Sequence, residues 1–368
     1  MEINRSTSGT PDWYFIQGIH RSGTTILGTW LQETNVFRTL TLGDIVRISE
    51  DPAYSRLFDT VFHGAASDIR RLKSLLGQIN RGFDDVHVDS EMFEEYSHLT
   101  MDEPPFGKWA ELLTGRRPWA HFNPKHVFKL KPSNIHRFVA LSRILGERDA
   151  RPQLHKSPFD IANPYIYRLK ARHIFVFRDP IDILASMLRQ VQDNYRRRIP
   201  YIAAVSRFYR ESYRSWWYRA ASLYGGPSPL GVRVLRHRVV TELNTQMDLM
   251  NTLDDDAYVC VDYDQMCRDD DSPGQENPYR DHTVGYILRA FGLPTDGIRK
   301  IRAKTRRRAN HVPSSVRRLE PSIVRSLPRY YRKMRQVREA LDKDFTDRSG
   351  LRQNAKPTPT PTMRRFES

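Results

Sequence analysis

The stretch Gly18-Ile19-His20-Arg21-Ser22-Gly23-Thr24-Thr25 constrains the fold of this chain more than any other. Leading into it, Trp13 to Gly18 (WYFIQG) is a short run of β-formers that ends at the glycine-containing turn. Behind it, Thr24 to Gln32 (TTILGTWLQ) sets Ile26, Leu27, Trp30 and Leu31 on one side of a helix. Strand, tight glycine turn and helix in that order aim the free N–H groups of a helix start at one point, where a phosphate can be held. The two flanking glycines let the backbone turn sharply and come close to a ligand.

The glycine spacing is that of the loop G-x-x-x-x-G-K-[ST], with one difference. Thr24 stands where the lysine belongs, and Arg21 brings the positive charge from inside the loop. That exchange argues against ordinary use of ATP or GTP.

Further strands and helices follow. His173 to Phe177 (HIFVF) reads as a buried strand, closed by Arg178-Asp179-Pro180, with a helix from Ile181 to Gln190. Pro180 suits a first helical turn, where its missing N–H has no partner to lose. Ala257 to Val261 is another strand, leading into Asp262-Tyr263-Asp264. Helical patterns are expected over 65–100, 134–145 and 201–223, the last aromatic-rich with Trp216 and Trp217. Strands separated by helices predict an α/β fold, a P-loop-like parallel sheet flanked by helices. A single domain is expected over 13–348, between a flexible N-terminus (1–12) and a disordered Pro-Thr tail (349–368).

Composition narrows the compartment and the partners. Cys260 and Cys267 are the two cysteines, too few for a disulfide framework, and no Cys/His cluster has zinc spacing. No apolar run reaches the ~20 residues of a membrane span, and Met1 to Asp12 lacks the layout of a signal peptide. A reducing, cytoplasmic location is expected. The formal charge of +16 suits an anionic ligand, a nucleic acid or an anionic surface without choosing among them.

With Arg21-Ser22-Gly23-Thr24-Thr25 behind a strand, the chain resembles the PAPS-dependent sulfotransferases, whose 5′-phosphosulfate loop commonly reads R-S-G-T-T. In that family a second strand ends in an arginine, and a serine eight residues on joins it at the 3′-phosphate. Arg178 and Ser186 stand at that spacing, and an arginine offers phosphate a planar fork of donors. Leu154-His155-Lys156-Ser157-Pro158 is similar to the L-K-S-P segment of a bacterial branch, with His155 where an apolar residue is usual. Asp262-Tyr263-Asp264 and Phe291-Gly292-Leu293-Pro294 resemble its late tyrosine–acid and F-G-L-P elements. The resemblance implies the sulfotransferase architecture, with Gly18, Arg21, Ser22, Gly23, Thr24, Thr25, Arg178 and Ser186 holding PAPS. It also implies transfer of a sulfuryl group to a hydroxyl or similar acceptor, releasing adenosine 3′,5′-bisphosphate.

In-line transfer needs the charge on the leaving phosphate neutralised. Arg21, Thr24, Thr25 and the loop N–H groups are suited to this, with Lys156 adding charge near the bridging oxygen, and no metal is required. An acceptor hydroxyl needs a general base. Asp44 and the acidic group Glu91, Glu94 and Glu95 occupy positions similar to acidic residues in the family, with the Glu94/Glu95 pair preferred; His20 and His155 are further candidates. The acceptor is a small molecule, glycan or lipid, with no nucleic acid expected; oligomeric state is not legible. Two other readings compete: a nucleoside or small-molecule kinase of the same architecture, and a nucleic-acid-binding protein motivated by charge alone. The basic run with Lys304, Arg306, Arg307 and Arg308 is either a cover for the 3′-phosphate or a solvated face.

Overall fold

The computed structural model describes residues 13–19, 21–39, 52, 149–156, 171–193, 229–268, 277–302 and 312–349. Five strands form one sheet: β1 (Trp13–Gln17), β2 (Arg38–Thr39), β3 (Gln153–Lys156), β4 (Ala171–Phe177) and β5 (Tyr258–Asp262). Their order is β2-β3-β1-β4-β5, and every pairing is parallel. The described helices are α1 (Thr24–Glu33), α2 (Pro180–Asp193), α3 (Pro229–Met250), α4 (Tyr263–Met266), α5 (Pro278–Ala290), α6 (Ser314–Arg317), α7 (Glu320–Ser326) and α8 (Pro328–Ser349). None is long and apolar enough to cross a membrane.

Side chains alternate across each strand, so each sheet face takes every second residue. One face carries Tyr14, Ile16, Leu154, Ile174, Val176, Val259 and Val261, all buried. There Tyr14 meets Phe37 and Phe291 edge-on, with ring centroids 5.1 and 5.3 Å apart. The opposite face carries Phe177 against Tyr330 of α8, at 4.9 Å. Helical elements therefore cover both faces, as a parallel sheet requires. Trp30 and Leu31 of α1 are wholly buried, and full burial of such a side chain contributes about 1.5–3 kcal/mol.

The second face also holds a row of flat rings at one register level. His155 on β3 and His173 on β4 both pair with Phe15 on β1 and stack on its ring, at 5.2 and 5.7 Å. Burial pushes both imidazoles down to about 3, so they stay neutral. Expected as a residue beside the ligand loop, His155 is instead a sheet-face ring, and a group with so low a pKa makes a poor base at neutral pH.

Five expected elements appear within three residues of their expected ends: β1, α1, β4, its following helix α2, and β5. Pro180 opens α2, as its chemistry demands. The helical stretches expected over 65–100, 134–145 and 201–223 lie outside the described residues, as does the basic run 304–308. The long helices α3 and α8 were not foreseen. Their boundaries are marked by Pro229 and Pro328, each at a first helical position.

Candidate anion-binding site at the ends of strands β1 and β4

Strands β1 and β4 are neighbours, yet the chain leaves β1 toward β2 on one side and leaves β4 toward β5 on the other. In open parallel sheets ligands bind in the crevice outside the strand ends at such a reversal. The register Gln17↔Phe175 sets the loop after β1 beside Arg178, the residue that follows β4.

The loop folds through two left-handed residues, Arg21 (φ 72°) and Gly23 (φ 102°). Ser22 N donates to Ile19 O at 3.1 Å, tightening the turn. Gly23 then starts α1 with no described side chain capping the helix and no acidic residue in its first turn, the arrangement that suits an incoming anion. Gly23 has a second reason to lack a side chain: a Cβ there would sit 2.1 Å from the ring of Tyr263. Thr24 is buried and Thr25 exposed.

Three of the expected ligand residues meet through direct hydrogen bonds. Arg178 Nη1 donates to Arg21 O at 2.7 Å, and Arg21 Nε donates to Ser186 Oγ at 3.0 Å. The serine reaches this point because it lies two helical turns beyond Arg178, on α2. Arg178 and Ser186 are both buried. Among the described residues, Ser22 Oγ and Arg178 Nε are buried polar atoms with no hydrogen-bond partner, a costly condition that a bound acceptor would relieve at the arginine.

Arg178 is held by Tyr330, which no sequence motif marks, and by Tyr263, from the Asp262-Tyr263-Asp264 segment that does stand out in the sequence. The Tyr330 hydroxyl, on α8, accepts from Arg178 N at 3.1 Å and donates to Arg178 O at 3.0 Å. Burial drives that hydroxyl's pKa well upward, so it keeps the proton it donates. The Arg178 guanidinium lies 4.1 Å over the centre of the Tyr263 ring. Asp179 caps α2 by accepting from Ile181 N at 2.8 Å. Asp262 caps α4 by accepting from Asp264 N and Gln265 N, both at 3.1 Å, and Arg338 of α8 reaches Asp262 Oδ2 at 2.9 Å and Asp264 Oδ2 at 2.8 Å. Despite that partner, burial raises the Asp262 carboxyl to about 6. The spacing Tyr330, Met334, Val337, Leu341 marks one helix face in the sequence; nothing local says that this face closes on Arg178.

Lys156 ends β3, next to β1 at the same sheet edge, and its side chain lies outside the described residues. So do Asp44, Glu91, Glu94, Glu95 and His20.

No protein-family model and no curated protein matches the sequence. Among solved structures, the chain is similar to sulfotransferase STF9 from Mycobacterium avium, at 13% identity and TM-score 0.49 over 88% of this chain and 77% of that one. It is similar to sulfotransferase STF1 from Mycobacterium tuberculosis H37Rv, at 15% identity and TM-score 0.45 over 86% and 76%. A third likeness, to the sulfotransferase domain from the Synechococcus PCC 7002 olefin synthase, has 14% identity and TM-score 0.33 over 97% and 100%. These likenesses are loose, and the chemistry of the site rests on this chain's own side chains.

Proposed function

We propose that this chain is a sulfotransferase that moves a sulfuryl group from PAPS to a hydroxyl or similar acceptor on a small molecule, glycan or lipid. One observation carries the reading: two motifs about 160 residues apart, the loop with Arg21 and the Arg178/Ser186 pair, join in the hydrogen-bonded chain Arg178–Arg21–Ser186. The site fits a ligand bearing two phosphate groups. Its helix start, uncapped by the described side chains, and its loop suit one, and the buried Nε of Arg178, without a partner among the described residues, suits the other.

In this reading the α1 N-terminus, Arg21, Thr24 and Thr25 neutralise charge on the 5′-phosphate as it leaves. Arg178 and Ser186 hold the 3′-phosphate, which fixes the donor for in-line attack. The acceptor oxygen forms its bond to sulfur while the bond from sulfur to the phosphate oxygen breaks, and the acceptor's proton passes to a general base. Asp44, Glu94 and Glu95 remain the candidates for that base, and Lys156 for a further charge at the bridging oxygen. The kinase reading fits less well, because Thr24 replaces the lysine that such loops place on the β- and γ-phosphates.

The test is calorimetric titration with adenosine 3′,5′-bisphosphate, against ATP and 5′-AMP, first without added metal. Binding that depends on the 3′-phosphate is expected, weakened about 100-fold or more in both Arg21→Ala and Arg178→Ala, with thermal unfolding unchanged. Binding of ATP alone, dependent on magnesium, would establish the kinase instead. Unaltered affinity in both folded variants would sink the site assignment.

A further inference from the structure

An arginine that must meet a phosphate has a long, flexible side chain to hold still. Around Arg178 the backbone is fixed by both hydrogen bonds of Tyr330, and one guanidinium nitrogen is fixed by Arg21 O. The remaining support is an aromatic face: the guanidinium carbon lies 4.1 Å from the centroid of the Tyr263 ring. An attraction between a cation and a ring is strongest where water is excluded, and Arg178 is only 8% exposed.

The ring is itself held from two sides. Its edge lies so close to Gly23 that no side chain fits there. Its backbone begins α4 between Asp262 and Asp264, and both carboxylates are bound by Arg338. Tyr263 therefore touches both halves of the site, the turn of the loop and the arginine of the second strand, while its own main chain is anchored to α8.

We propose that Tyr263 is a positioning residue: its ring is the bed on which the Arg178 guanidinium is laid out for the 3′-phosphate. The ring face does this work; the hydroxyl is hydrogen-bonded to Cys267 and takes no part in the stack. The inference rests on the nucleotide reading for its ligand, and on the stack itself for its geometry.

The experiment compares Tyr263→Leu with Tyr263→Phe, each checked for thermal unfolding. Affinities for adenosine 3′,5′-bisphosphate and for 5′-AMP are measured by calorimetry. Tyr263→Leu is expected to lower the ratio of the two affinities about 5- to 30-fold, the range of a desolvated cation–ring contact; Tyr263→Phe should leave that ratio within about twofold of wild type. An unchanged ratio in Tyr263→Leu, or an equal loss in Tyr263→Phe, overturns the proposal. A second arm needs no nucleotide. In protein labelled with ¹⁵N-arginine, the Arg178 Nε–H signal, assigned by its disappearance in Arg178→Lys, should carry an upfield ring-current shift that Tyr263→Leu abolishes and Tyr263→Phe keeps. Absence of that shift in the wild type also overturns it. Its presence in a protein that binds neither nucleotide would uphold the brace and reject the nucleotide reading.

Discussion

Helices α1 and α2 start side by side, after the neighbouring parallel strands β1 and β4, and they start in opposite ways. Helix α2 is closed by its own sequence: Asp179 caps it, Pro180 fills the first position, and Asp182 lies in the first turn. Among the described residues, helix α1 has no side-chain cap and no first-turn acid, and it is entered through a glycine with φ 102°. Helices α4 and α5 follow the α2 pattern, capped by Asp262 and Asn277. A helix start in water is stabilised by a cap or by negative charge. Helix α6 lacks both as well, so it is the place of the α1 terminus beside Arg178, together with its open start, that fits the proposed anion.

The contrast can be broken most severely at α4, whose cap is tied to Arg338. Replacing Arg338 with Met leaves Asp262 buried without its counter-charge, and such a loss costs about 3–5 kcal/mol. The effect depends on pH. With a folded pKa raised to about 6 from 3.8, Asp262 is stabilising in its protonated form below the unfolded value, and that contribution is lost as pH rises through about 6. Without Arg338 the carboxyl titrates higher still, so the variant should lose much at pH 8 and little at pH 5. Urea denaturation at the two values measures this, and an equal loss at both would show that Asp262 is not the group left exposed to the penalty.

At α2 the change is milder. Asp179→Ala removes an ordinary cap and should cost about 1 kcal/mol. Burial raises the Asp179 pKa, so part of the loss is offset at neutral pH. Urea denaturation measures that loss, and calorimetry should show nucleotide affinity weakened less than in Arg178→Ala; a larger effect on binding than on stability would mean that Asp179 belongs to the ligand site.

The smallest change sharpens the contrast at α1 itself. Thr25 is exposed in the first turn, and Thr25→Asp gives α1 the acid that α2 already has. It should stabilise the unliganded protein by about 0.3–1 kcal/mol while weakening adenosine 3′,5′-bisphosphate. Opposite signs for stability and affinity are the expected signature. If both move together, the α1 terminus is an ordinary helix end.

Much of this was legible before any coordinates, and the reason is locality. The loop from Gly18 to Thr25, the buried HIFVF strand and Pro180 at the start of α2 are each set by residues next to one another. Period, propensity and capping chemistry act over a few positions, so they can be read in order. The long helix α8 has an apolar face that can be read in the sequence, Tyr330, Met334, Val337 and Leu341, but only the fold shows that face closing on the sheet. His155 misled for the opposite reason. A histidine beside a lysine in a ligand-like segment suggests chemistry, and only the pairing of β3 with β1 shows it stacked on Phe15 inside the sheet.

By itself the sequence determined an α/β chain with a glycine turn between a strand and a helix, and it singled out Arg21, Arg178 and Ser186. Only the tertiary structure decided that Arg21 joins Arg178 to Ser186, that Tyr330 grips Arg178 from 152 residues away, and that Tyr263 lies against Gly23 beneath the guanidinium. These contacts depend on which strands become neighbours and which helix closes the sheet. Sheet order is settled by the burial of whole faces, and no residue's immediate neighbours encode it.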